Sequence, residues 1–336
     1  MWSNEGATAL ALFALALAAC SSTVSSDIGA AGSGGSAAGA TGNAAGAGGV
    51  AGASQGDAKQ LVGSFQVKLT GASGEASATT AVVGKVYDGP TPETIVWENP
   101  QVDGACTLTT PRVPFCSTPC GGSAACVEDD TCLSYPTAHS VGSVTVSGLG
   151  DSPFTMTPIA NTYQPPAGIT LAFPPFAEGA PVSVSAAGDY FPAFTLTGTG
   201  IAPLVLTSTT LALKSGVALP LTWIPGLAGN SKIHVKLDIS HHGGSKGQIV
   251  CDSDDSGSLT VTATLITKLL GLGVAGYPTV IVTRHAVGSS VISAGRVDLE
   301  IASTVEQSVS VDGLTSCTED SDCPSSETCQ TDLSCK

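Results

Sequence analysis

Residues 232–239 read KIHVKLDI, and apolar side chains alternate with polar ones along the whole stretch. The odd-numbered positions from Ile233 to Ile239 are apolar, and the even-numbered positions from Lys232 to Asp238 are polar. Successive side chains of a β-strand point to opposite faces. The alternation therefore predicts a strand with one face in a hydrophobic core and the other in water.

The same period of two recurs along most of the chain, at residues 65–69, 144–146, 182–184, 194–196, 219–223 and 297–301. Turn signals such as Asp103-Gly104 lie between these segments. One segment differs: Thr262 can cap a helix, apolar residues between 265 and 270 share one face, and Gly271 can end it. The patterns predict an all-β fold, an antiparallel β-sandwich of one large or two packed modules, with one short helix and small disulfide-rich inserts.

The composition excludes several classes of protein. The 336 residues include 12 basic and 27 acidic side chains, which gives a formal charge of −15. Nucleic-acid binding needs a basic face, so we expect no nucleic-acid partner. The charged fraction is only 12%, and 41 Gly and 20 Pro disfavour long helices. The 11 cysteines favour an oxidising compartment.

The amino terminus carries a mostly apolar run, residues 7–19, that ends at a cysteine. It is shorter than the roughly 20 residues that span a bilayer, and it has the length of a signal-peptide core. The sequence Leu17-Ala18-Ala19-Cys20 resembles the lipobox of bacterial lipoproteins, which implies cleavage after residue 19 and acylation of Cys20. A plain secretory signal peptide is the alternative. The Gly, Ala and Ser that follow are typical of a flexible tether.

Five parts follow from these boundaries. They are, in order, a signal peptide (1–19), the acylated cysteine and tether (20–56), a β-rich module (57–210) with a cysteine-rich insert (106–132), a second sandwich-like module (211–313), and a disulfide-rich tail (314–336).

The cysteines after Cys20 form two sets. The candidates for disulfides are Cys106, Cys116, Cys120, Cys126, Cys132 and Cys251 in one set, and Cys317, Cys323, Cys329 and Cys335 in the other. Structural zinc sites prefer closely spaced pairs of the C-x-x-C type, which are missing here, so disulfides are favoured over zinc. The pairing within each set stays open.

The two cysteine-rich segments are related to each other. CGGSAACVEDDTC at 120–132 and CTEDSDCPSSETC at 317–329 share their cysteine spacing and a Thr before the last cysteine. The second resembles short modules of myxobacterial secreted proteins. With the lipobox, the tether and IVCDSDDSGSL at 249–259, the chain resembles myxobacterial secreted lipoproteins. The resemblance implies a β-rich fold and a lipid-anchored location in the bacterial cell envelope, at the outer membrane or cell surface, and no particular activity.

Two groups of polar residues suggest metal ligands. His234, Asp238 and His241 lie on or just after one strand face, and two histidines with a carboxylate can hold zinc, although Lys236 between them opposes a cation. Asp252 and Asp254 begin a stretch that resembles the start of a calcium loop, but Ala263 stands where an EF-hand requires Glu. We therefore expect no cofactor, with calcium as the alternative.

The chain lacks a complete catalytic motif, which favours a non-catalytic, lipid-anchored envelope protein with a structural or surface-binding role. Its expected partners are the membrane, through the anchor, and an envelope polysaccharide or protein. One alternative is a carbohydrate-binding or adhesion module with the aromatic residues Trp97, Tyr163, Tyr190 and Phe191 facing the sugar. A less favoured alternative is a secreted metal-dependent hydrolase with His234, Asp238 and His241 as ligands.

Overall fold

The computed structural model describes residues 57–240, 242, 244 and 246–336. The predicted signal peptide, Cys20 and the tether at 20–56 lie outside these residues, and so does His241.

Strands dominate the described part of the chain, and one α-helix lies among them. In chain order the elements are β1 (Leu61–Thr70), β2 (Thr79–Val86), β3 (Val96–Asp103), β4 (Cys106–Arg112), β5 (Ala124–Glu128), β6 (Thr131–Ser134), β7 (Val144–Ser147), β8 (Phe154–Met156), β9 (Thr162–Tyr163), β10 (Pro181–Ala186), β11 (Phe194–Thr199), β12 (Ala212–Leu213), β13 (Leu219–Thr222), β14 (Lys232–Asp238), β15 (Gln248–Asp254), β16 (Ser258–Val261), α1 (Ala263–Gly271), β17 (Thr279–Ile292), β18 (Gly295–Ser308), β19 (Ser310–Val311) and a 3-10 turn (Asp320–Asp322).

The largest sheet has nine strands in the order β3-β4-β15-β14-β17-β18-β1-β2-β9. The predicted all-β class with one short helix is confirmed, and most neighbouring strands are antiparallel as expected. One pair differs, because β1 lies beside β18 and runs parallel to it, which makes the sheet mixed. Alternation in the sequence reports which face is buried and carries no information about strand direction.

The first hydrophobic core lies between the large sheet and a second sheet of four strands, β11-β10-β7-β8. Phe65 and Val67 of β1 and Leu299 of β18 are fully buried there with Val146 and Leu196 of the smaller sheet. The two layers approach closely at Gly288 of β17, where an added Cβ would overlap the Thr197 carbonyl of β11. This packing of two sheets on a shared core is the sandwich that the alternation predicts.

The second core lies on the same face of the large sheet, at β14, β15 and β17. Val235, Leu237 and Val282 are fully buried there against α1 and the two-stranded sheet of β13 and β16. The nine-stranded sheet takes strands from both sides of residue 210, and the described residues belong to one compact unit. The division into modules at residue 210 stays a prediction.

Helix α1 forms where the sequence predicts it. The Thr262 side chain caps the helix by accepting from the Leu265 N–H at 3.4 Å, and it donates to Asp103 Oδ2 at 2.6 Å. Leu265, Ile266 and Leu269 are buried on one face. The cap therefore also joins the helix to the β3–β4 hairpin, whose last β3 residue is Asp103.

Candidate functional site

All ten cysteines of the described residues are paired. The disulfides are Cys106–Cys251, Cys116–Cys126, Cys120–Cys132, Cys317–Cys329 and Cys323–Cys335. Cys106 and Cys251 are directly opposite each other on β4 and β15, so this bridge joins two strands of the large sheet. The other four bridges close short segments within the insert or within the tail.

The insert and the tail have the same connectivity. With Cys106 set aside, each has four cysteines, of which the first pairs with the third and the second with the fourth. In each, the residue after the first cysteine donates its N–H and its hydroxyl to an aspartate, Ser117 to Asp130 and Thr318 to Asp322. Within each segment, cysteine sulfurs lie within 4.8 Å of one another. Because these sulfurs are in disulfides, they are not the thiolates that bind metals.

On β14 and β15 the structure brings one predicted zinc ligand and one predicted calcium ligand together and gives the others different partners. Asp252 Oδ1 lies 2.8 Å from His234 Nδ1, and Asp254 pairs with Lys232. Asp238 accepts from the backbone and hydroxyl of Ser240 at 2.9 and 3.2 Å. His234 and Asp238 are four residues apart on one strand, about 13 Å. The zinc set with His241 stays a prediction, because His241 lies outside the described residues.

The calcium prediction concerns Asp252 and Asp254, and the neighbouring Asp255 serves a different purpose. Asp255 is buried with Arg284 of β17, whose Nε lies 2.6 Å from Asp255 Oδ2. Burial alone would raise the pKa of Asp255, but hydrogen bonds from Arg284, Ser231 and Trp223 outweigh it and lower the pKa. This carboxylate therefore holds strands and loops of the second core together.

Two further polar residues lie on the outer face of the large sheet, and the sequence analysis did not single them out. His285 of β17 is 6% exposed, and burial and the nearby His234 lower its pKa, against the opposing effect of Asp252. Burial raises the pKa of Glu300 of β18, and Asp298 adds to the effect, while Lys68, Gln66 and His234 oppose it. Polar and apolar residues alternate in β17 and β18 as in the other strands, so the local sequence does not mark His285 or Glu300. The register of strand pairing is what brings them near His234.

The four aromatic residues proposed for sugar binding separate into two groups. Tyr163 is fully buried and bonds the Val141 N–H and the Gly142 carbonyl through its hydroxyl, and Phe191 is 4% exposed. Trp97 is half-buried on the edge strand β3. Tyr190 is 58% exposed. Of the four, Tyr190 presents the most open ring to solvent.

Tyr190 stacks on His139, His139 contacts Asp88, and we call these three residues the aromatic platform. The rings of Tyr190 and His139 lie 3.5 Å apart between centroids and within 8° of parallel. His139 Nε2 lies 3.1 Å from Asp88 Oδ2, and Asp88 Oδ1 accepts from the Thr137 N–H at 2.7 Å. The bond from Thr137 and the contact with His139 hold the pKa of Asp88 below its usual value. Asp88 therefore stays ionised over the physiological range.

Comparison with known proteins adds little to this description. No protein-family model matches the chain, and no curated protein sequence matches it. Among solved structures, the crystal structure of chicken CNTN1 FN1-FN3 domains is similar at 10% identity and a TM-score of 0.20, over 70% of this chain and 80% of that one. A TM-score of this size supports no structural inference, so the class of the protein, an all-β sandwich with five disulfides, rests on its own sheets and bridges.

Helices long and apolar enough to cross a membrane are not found among residues 57–240, 242, 244 and 246–336.

Proposed function

We propose that the chain is a lipid-anchored protein of the bacterial cell envelope that binds a surface partner and carries out no catalysis. Acylated Cys20 holds it at the membrane, the segment at 20–56 acts as a tether, and the β-sandwich is the binding body.

The observation that supports the location most strongly is the pairing of the ten cysteines between Cys106 and Cys335 in five disulfides. Disulfides persist in secreted and envelope proteins and are rare in a reducing cytosol. The sequence has 11 cysteines, so this pairing leaves Cys20 for another chemistry. Thioether acylation of that residue is what the lipobox resemblance implies.

A binding role is supported by what the predicted metal ligands and the neighbouring Asp255 contact. His234 pairs with Asp252, Asp238 bonds Ser240, and buried Asp255 pairs with Arg284. Each of these carboxylates has a structural partner. The aromatic platform instead presents an exposed, preorganised surface of the type that protein binding sites use.

The test is the state of Cys20 in cells. We expect the wild-type chain in the membrane fraction, with an intact mass that begins at Cys20, carries added acyl chains and lacks the ten hydrogens of five disulfides. A single acyl chain binds membranes only marginally, so stable fractionation requires more than one. The Cys20→Ala variant should leave the membrane fraction.

Ser21→Ala is the matched control, because it changes the neighbouring residue and leaves the cysteine in place. It should fractionate like the wild type. An unacylated wild-type chain, or a Cys20→Ala variant that remains in the membrane fraction, would contradict the proposed anchor.

A further inference from the structure

The Tyr190 ring of the aromatic platform is held in place on one face and one edge, and its other face stays open. His139 supports one face of Tyr190, and Phe191 meets the Tyr190 ring edge-on at 4.8 Å and 87°. The backbone on both sides is fixed, since the Tyr190 N–H donates to Ser140 and the His139 N–H to Val86. A ring that is ordered before a ligand arrives loses little conformational entropy on binding.

The aromatic platform and its neighbour Asp189 combine an open apolar ring face with exposed carboxylates. The negative face of an aromatic ring attracts the weakly positive C–H groups of a flat ligand. Asp88 is 38% exposed in its side chain, and each carboxylate oxygen has lone pairs beyond those used by Thr137 and His139. Asp189 precedes Tyr190 and is also exposed. Carboxylates of this kind accept strong hydrogen bonds from hydroxyl groups.

We propose that the aromatic platform binds an uncharged pyranose ring of an envelope polysaccharide, with the C–H face of the sugar on the open face of Tyr190 and its hydroxyl groups toward the exposed Asp189 that precedes it. The inference rests on the proposed surface-binding function and names the ligand class. A pyranose with equatorial substituents has a flat C–H face about the size of one phenol ring.

The negative charge of the protein favours neutral sugars over acidic ones. Asp88 contacts the His139 ring on the other side of Tyr190, exposed Asp189 precedes Tyr190, and the whole chain carries a formal charge of −15. The nearby cation Lys85 lies over a different ring, that of Tyr87, at 5.4 Å. Like charges repel across an interface, so glycans rich in carboxylates are disfavoured and neutral hexoses are favoured.

The test is calorimetric titration of the full chain, purified from membranes in detergent, with cello-oligosaccharides and chitin oligosaccharides. Oligogalacturonates serve as the acidic comparison. We expect at least one neutral series to bind and the acidic series to bind more weakly. Tyr190→Ala should weaken binding about tenfold or more, as loss of a central aromatic anchor does. Tyr190→Phe keeps the ring and should bind within about threefold of the wild type.

Tyr135→Ala is the matched control. Tyr135 is 53% exposed, close to the exposure of Tyr190, and no ring stacks on it in the described part of the chain. It should bind like the wild type. His139→Ala keeps Tyr190 but removes its support, and it should weaken binding by a smaller factor while the near-UV circular dichroism of the core stays unchanged.

Absence of binding to both neutral series, or equal binding by Tyr190→Ala and the wild type, would overturn the sugar site. Tighter binding of the acidic series would overturn it as well. The same preparations report the anchor independently through the mass of Cys20. Failure of sugar binding with an acylated, membrane-bound chain therefore removes the sugar site alone.

Discussion

His285 and Glu300 have pKa values that the fold displaces in opposite directions. Burial lowers the pKa of His285 from its ordinary value of 6.5 and raises that of Glu300 from 4.5. In both cases the uncharged form is the one that the outer face of the sheet favours. The two residues should therefore make opposite contributions to the pH dependence of stability.

For His285, the lowered native pKa means that its contribution to stability is present above pH 6.5 and is lost as the pH falls through the native pKa. His285→Gln removes this titration. Between pH 7 and pH 5 we expect the free energy of unfolding of the variant to fall less than that of the wild type, by at most about 1.4 kcal/mol per pH unit. Urea denaturation at a series of pH values measures the difference.

Glu300→Gln is the matched comparison for the same experiment. The raised native pKa of Glu300 means that its contribution is present below pH 4.5 and is lost as the pH rises through the native pKa. Glu300→Gln should therefore gain stability relative to the wild type near pH 7. Parallel pH profiles for the wild type and both variants would show that neither side chain is desolvated by the fold.

At the residue scale, the sequence identifies which side chains are available but not what they contact. Tyr163 and Tyr190 are equivalent as letters in a sequence, yet the fold buries one and exposes the other. The partner of Tyr190 is His139, 51 residues earlier and on a different loop. Asp255 similarly reads as part of an acidic turn and instead pairs with Arg284 in the interior. Such pairs depend on register and loop packing, which local patterns do not encode.

At the scale of elements, the patterns were more informative. Alternation predicts β14 to within a residue, and the Thr262 cap with its apolar face predicts α1. Local backbone preference and burial decide such elements, and both leave traces in short windows of sequence. The order of strands depends on contacts between distant residues. The parallel pairing of β1 with β18 could therefore not be predicted from the sequence.

The Cys106–Cys251 bridge joins β4 to β15 across 145 residues of sequence, whereas Cys116–Cys126 closes only 10. A bridge that closes a longer loop restricts the unfolded chain more strongly. Replacing both Cys106 and Cys251 with Ala should lower the free energy of unfolding by about 4–5 kcal/mol. Replacing Cys116 and Cys126 should cost about 3 kcal/mol or less.

Denaturation in guanidinium under non-reducing conditions measures both double variants. The insert pair is the control, because it removes a disulfide of the same protein without touching the large sheet. Equal losses for the two variants would contradict the assignment of the long-range bridge as the stronger constraint.

At the scale of the whole molecule, the first long strand of the body and one of the last are neighbours inside the large sheet. β1, near residue 61, lies between β2 and β18, and β18 ends at Ser308. The sheet is therefore complete only when both ends of the body are present. The cysteine-rich tail lies outside this arrangement, since both of its disulfides close within residues 317–335.

Deletion of residues 314–336 should leave a folded body. The tail contacts the loop at Gly276 through two hydrogen bonds, from the Gly276 N–H to the Asp332 carbonyl at 2.7 Å and from Ser316 Oγ to the Gly276 carbonyl at 2.6 Å. Two such bonds contribute about 2 kcal/mol, which corresponds to a melting temperature roughly 4–8 °C lower in a body of this size. Deletion of residues 57–70 removes β1 from the middle of the sheet and should abolish cooperative unfolding. Calorimetry of both deletion variants distinguishes two cases: a tail that folds as its own disulfide-closed unit, and a tail on which the sandwich depends. If the variant without residues 314–336 is unfolded, the second case is favoured.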